Sequence, residues 1–99
     1  CFEIKTGKRL WDDSKDYSIT PPGRNPQATL VWARDGKHEN RALIFNANGE
    51  LLSATLNKES FEIHSRSQIT GKTWAHPAYN DGHIFARTDN EIVSWKLNP

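Results

Sequence analysis

Methionine is missing from the whole 99-residue sequence, position 1 included, and cysteine occurs once, at Cys1. The first absence leads to the expectation that the chain is a piece of a longer or processed protein. The second excludes an internal disulfide and a multi-cysteine metal site. At the start of an apparent strand, Cys1 is expected to be a buried structural thiol. Charge of one sign is lacking as well. The 13 basic and 12 acidic residues leave a net +1, which gives no electrostatic footprint for nucleic acid or an anionic lipid surface. No apolar run approaches the ~20 residues of a membrane-spanning helix. No secretory leader is visible, which in a piece of a longer chain does not place it in the cytoplasm. A sustained 3.6-residue apolar period is missing too, and Gly, Pro, Asn or Asp interrupts every window of helical length, so no helix is expected.

What remains is a composition of 35% hydrophobic and 25% charged residues with four Trp. That argues for one small folded domain with a modest core and large apolar anchors. The β-prone runs are short and bounded by turn chemistry. Phe2-Glu3-Ile4 and Lys8-Arg9-Leu10-Trp11 flank Thr6-Gly7 as a hairpin. Residues 12–26 carry Pro21, Pro22, Gly23 and Pro26 and read as a long connection. Strands are expected over Ala28 to Ala33, Ala42 to Phe45 (buried on both faces), Leu51 to Leu56 and, as a water-facing outer strand, Phe61 to Ser65. Asn48-Gly49 marks the hairpin before the third of these. Residues 73–97 then read as a three-strand meander, turning at Asp81-Gly82 and Asp89-Asn90.

The chain repeats itself. Glu50-Leu51-Leu52-Ser53 followed by Leu56 recurs 41 residues later as Glu91-Ile92-Val93-Ser94 followed by Leu97. Asp35-Gly36 matches Asp81-Gly82, and Leu43-Ile44-Phe45 overlays His83-Ile84-Phe85. A four-stranded meander returning at about 40 residues is the signature of a β-propeller blade. The expected architecture is therefore all-β, with antiparallel meander blades in part of one propeller. Residues 1–11 end a blade, 12–26 connect, 27–67 form a full blade and 73–97 a final three-stranded one. Blades bury their faces on neighbours and two cannot close a ring. The expected partner is thus the rest of the propeller, of which this is expected to be the C-terminal part, with a strand from the other end of the whole chain completing the last blade. A self-contained small β-sandwich is the alternative if these residues stand alone.

Two segments carry a family resemblance. Phe2-Glu3-Ile4-Lys5-Thr6-Gly7-Lys8-Arg9-Leu10-Trp11 and His76-Pro77-Ala78-Tyr79-Asn80-Asp81-Gly82-His83-Ile84-Phe85-Ala86-Arg87 resemble the repeats of the pyrroloquinoline-quinone-like (PQQ-like) β-propeller family. Thr29-Leu30 departs from it where a Pro is commoner, and Glu59 where a Gly is. The resemblance implies a bacterial, periplasmic or secreted protein. It also implies one of two functions: a non-catalytic scaffold for protein partners, or a piece of a quinone-dependent alcohol dehydrogenase. Only the second implies pyrroloquinoline quinone and calcium, and their ligands map onto no position here.

Candidate chemistry is thin. His38, His64, His76 and His83 sit at no recognised ligand spacing, and His76 and His83 lie on opposite sides of a turn, so no metal site is expected. Asp81 and Asp89 are turn residues, favoured there for backbone hydrogen bonding. Ser53 and Ser94 recur in phase within strands and read as architectural. Neither a nucleophile elbow nor a phosphate-binding glycine loop occurs. No catalytic residue is assigned. Trp11, Trp32, Trp74 and Trp95 could form a stacking platform for a quinone or a sugar. Because Trp11 and Trp95 fall at repeat positions, packing between blades is the expected role.

Overall fold

The computed structural model describes residues 1–12, 27–33, 37 and 39–97. Among them there is no helix. Seven strands form two antiparallel meanders. The first sheet orders β1 (Ala28–Trp32), β2 (Arg41–Asn46), β3 (Glu50–Leu56) and β4 (Phe61–Gln68) side by side. The second orders β5 (Ala78–Asn80), β6 (His83–Arg87) and β7 (Ile92–Lys96). The 12–26 connection lies outside the described residues except at Asp12, and so does the Asp35-Gly36 turn.

Alternation assigns the faces, because paired residues of antiparallel strands share one. On one face of the first sheet Ile44 pairs with Leu52, and Ala42 with Ala54. Leu56 and Ile63 pack on this cluster, in which Leu52 and Ala54 are both 0% exposed. Each fully buried aliphatic chain there contributes about 1.5–3 kcal/mol of transfer free energy. The opposite face offers Leu43, Phe45 and Leu51 to a second cluster, shared with Ile69, Ile84, Ala86, Tyr79 and Leu97. The two sheets are stacked through that shared core.

The stacking has a direction. Leu52 and Val93 stand 41 residues apart at equivalent places in β3 and β7. Val93 pairs with Ala86, on the face of the second sheet that meets the first. Leu52 belongs to the face of the first sheet that points away from the second. The 1–11 segment adds to that outer face: the Trp11 ring lies 5.1 Å from Phe61, and its indole N–H donates to the Asn57 carbonyl at 2.6 Å. Each sheet therefore turns the same face toward the unit before it, head to tail.

The register also corrects the repeat alignment. With Leu52 and Val93 equivalent, the counterpart of Ile44 is Ala86 and not Ile84. The turns agree. Leu56 N–H donates to Asn40 and Leu97 N–H to Gly82, and both acceptors have positive φ, 59° and 72°. Asn40, not Gly36, stands in the place of Gly82. The overlay of Leu43-Ile44-Phe45 on His83-Ile84-Phe85 is thus a slip of two residues, which keeps every side chain on its face and so leaves the hydrophobic pattern intact.

Three further expectations change. The 1–11 hairpin closes through one isolated bridge, Phe2 to Arg9, with no regular strand. Cys1 is exposed, since it lies at the open end of that hairpin where its ammonium donates to the Trp11 carbonyl. The outer strand runs on to Gln68, with its register broken between Ser53 and Ala54; His64 is the extra residue and bonds Thr55 Oγ1 at 2.6 Å.

Asn48-Gly49 does turn the chain, through a three-residue loop in which Gly49 alone has positive φ (80°). The buried Asn46 side chain holds it, its Oδ1 accepting the N–H groups of Asn48 and Glu50 at 3.1 Å. Thr88 Oγ1 does the same for Asn90 and Glu91 in the second sheet. Gly49 is also where the chain presses on itself. A Cβ there would overlap the carbonyl oxygens of Thr70 and Gly71, whereas one at Gly82 meets open space. Gly49→Ala should thus cost about 3 kcal/mol or more, and Gly82→Ala, which pays only for its backbone angle, about 1 kcal/mol. Urea midpoints of the two variants check the contrast; equal losses would count against the close approach.

Candidate functional site

The residues singled out for chemistry are scattered by the fold. His64 occupies the β4 bulge. His83 opens β6, its Nδ1 within 2.9 Å of the Asp81 carbonyl and its ring stacked 6.1 Å from Phe85. His76 lies between the sheets' ends, and His38 is outside the described residues. Among the described residues no three His, Cys, Asp or Glu side chains gather as a metal would need. Asp81 sits in a tight turn at φ 47°, followed by Gly82 at 72°, as a primed hairpin turn requires. Ser53 and Ser94 stand at equivalent places in the ladders, opposite Leu43 and Phe85, and line neither groove described below.

The four tryptophans do not converge either. Trp11 joins the 1–11 segment to the first sheet. Trp32 and Trp95 are half-exposed on strands, with Trp95 opposite Ile84 in the ladder. Trp74 is different, standing 71% exposed on the connection between the sheets.

That connection, residues 69–77, is tied down along its length. Ile69 and Thr70 N–H groups donate to the Gly49 carbonyl, and Thr73 N–H donates to the Ala47 carbonyl at 3.0 Å. Gln68 Nε2 donates to the Asn48 and Thr70 carbonyls. Thr73 Oγ1 then donates to the Arg87 carbonyl at 2.7 Å and accepts the Ala75 N–H at 3.0 Å. Thr73 thereby bolts the turn of the first sheet to the end of β6, and the next residue, Trp74, projects from a fixed backbone.

A groove opens on either side of Trp74. The larger, of about 570 Å³, runs between the connection (Lys72, Thr73, Trp74, Ala75) and the β6–β7 turn (Arg87, Thr88, Asp89). The smaller, of about 340 Å³, lies toward β1 and includes Thr29, Asn46 and His76. In the sequence Trp74 is one of four candidate anchors. The signal that separates it is local, since Thr70-Gly71-Lys72-Thr73 before it and Pro77 after it place it in a connection and not in a strand.

Burial pushes the Tyr79 phenol up to about 12, and its hydroxyl is buried without a hydrogen-bond partner. Its ring packs on the shared core. No family of proteins, no curated protein and no solved structure matches this chain.

The Tyr79 hydroxyl has a measurable consequence. A phenol that holds its proton more tightly folded than unfolded binds the extra proton in the native state. Its contribution is present below the ordinary phenol pKa near 10 and is lost as pH rises from there toward about 12. Tyr79→Phe, which removes a buried unsatisfied hydroxyl, should leave neutral-pH stability equal or raise it by about 1–2 kcal/mol. It should also flatten the stability decline across that alkaline window. Urea titrations at a series of pH values test both; a clear loss at neutral pH would mean that the hydroxyl has a partner.

Proposed function

We propose that the two sheets are consecutive blades of a β-propeller of the PQQ-like repeat type, and that the protein acts as a non-catalytic, extracytoplasmic scaffold for protein partners. The observation that carries this reading is the head-to-tail stacking. A sandwich made by two-fold pairing would bring equivalent faces together. Here the Leu52-type face of one sheet meets the Phe45-type face of the other. Heterologous contacts of that kind propagate from unit to unit and end either in a closed ring or in an open stack.

The outward face of the second sheet supports the same reading. By the strand equivalences Ile92 stands where the first sheet has Leu51, and Phe85 where it has Leu43. Leu51 is 8% exposed because the second sheet covers it, whereas Ile92 is 81% exposed. A further unit presenting its Leu52-type face would cover Ile92 and Phe85. The edge of β7, unlike that of the equivalent β3, has no neighbouring strand among the described residues. It offers main-chain hydrogen bonds to an extended segment. Both surfaces take protein.

Sedimentation velocity of the chain over a concentration series provides the test. The uncovered face should drive association of copies, and Ile92→Lys should weaken it by about tenfold or more, since a desolvated lysine opposes the contact. A chain that stays monomeric throughout and binds no apolar dye would overturn the proposal.

A further inference from the structure

We propose that the end of the molecule around Trp74 is a binding site for an uncharged oligosaccharide. This site is distinct from the strand edge assigned above to protein, borders the uncovered face at Arg87, which pairs with Ile92, and does not depend on the blade reading.

The first support is mechanical. Three chain segments meet at this end: the 46–50 turn, the 69–77 connection and the 88–91 turn. Hydrogen bonds fix Thr73 to Ala47 on one side and to Arg87 on the other. A loop free to move would fold a bare indole against the nearest apolar surface. This one holds Trp74 71% exposed on a pinned backbone, between two grooves. A rigid, flat, weakly polar surface standing in a groove is suited to the apolar face of a sugar ring, whose C–H groups lie against an indole as another apolar ring would.

The second support is the electrostatics of the groove wall. Lys72 and Arg87 supply two cations, while Asp89 and the adjoining Glu91 supply two anions. None of these four enters a salt bridge among the described residues. An anionic ligand would meet Asp89 and Glu91, and a cationic one Lys72 and Arg87. A polyol meets both signs usefully: its hydroxyls donate to the carboxylates and accept from the guanidinium and ammonium groups. Thr88 adds a hydroxyl whose oxygen already accepts the Asn90 and Glu91 N–H groups and whose proton remains to be donated.

The third support is extent. The larger groove, about 570 Å³, falls within the size range of small-ligand pockets, and a second of about 340 Å³ continues beyond the indole past His76. A chain of sugar rings crossing Trp74 would occupy both, hence an oligosaccharide and not a single ring.

Isothermal titration calorimetry of the full chain with maltohexaose, cellohexaose and chitohexaose tests the site, with naphthalene-2,6-disulfonate as a planar anionic control. At least one hexaose should bind in the micromolar to low-millimolar range. Trp74→Ala should weaken that binding by about tenfold or more, with Arg87→Ala and Asp89→Ala each causing a smaller loss. Trp32→Ala should leave it unchanged. Trp74 is largely exposed, so its variant keeps the fold, which the far-ultraviolet circular dichroism verifies. Three outcomes would each overturn the proposal: no hexaose binding at up to about 10 mM, binding indifferent to Trp74→Ala, or tighter binding of the disulfonate than of every sugar.

Discussion

The fold turns on one backbone contact, the place where the chain leaving β4 crosses the turn between β2 and β3. The Gly49 carbonyl takes two N–H groups there, from Ile69 and Thr70, and the missing side chain of Gly49 is what lets the two backbones approach. This crossing sets where the connection to the second sheet begins. It thereby decides which strands lie over which, and it seats Ile69 among Phe45, Leu51 and Ile84 in the shared core. Neither sheet is large, and a small antiparallel sheet with one apolar face needs something to lie against. Each serves as the other's cover because a short, hydrogen-bonded strap leaves little freedom to do otherwise.

The same crossing accounts for the contrast between the two ends of the stack. At the strap end, Thr73 bonds the turn of the first sheet to the end of β6, while Gln68 and Asn46 hold the strap and that turn in place. That rigidity is what makes a groove with defined walls out of surface segments. At the other end the Asp81-Gly82 turn takes positive φ at both residues and is held within its own sheet, by the Leu97 N–H on the Gly82 carbonyl.

Most of the strands could be read from the sequence because alternation and turn residues are local properties. Glu50–Leu56 and His83–Arg87 each stand between glycine- or asparagine-bearing turns, and their buried positions are apolar. The repeat was readable for the same reason, but its register was not. Leu43-Ile44-Phe45 and His83-Ile84-Phe85 look alike in letters, while the pairing that places them depends on where φ turns positive, at Asn40 in one copy and at Gly82 in the other. The bulge at His64 depends on two residues fitting opposite one, which no local pattern announces. Trp74 was visible as a residue but not as a site. Its isolation follows from hydrogen bonds of Thr73 to Ala47 and Arg87, partners 26 residues behind and 14 ahead.

Polarity in the stack has a consequence for how such a chain can lengthen. When units meet through unlike faces, inserting one more consumes a face of each kind and supplies a face of each kind. In an open stack the number of uncovered faces therefore stays the same at every length, one at each end, and in a closed ring it is none. Duplication of a single meander, with its strap, needs no newly evolved contact to be accommodated, and Leu51 and Ile92 show one position covered in the first copy and uncovered among the described residues in the second.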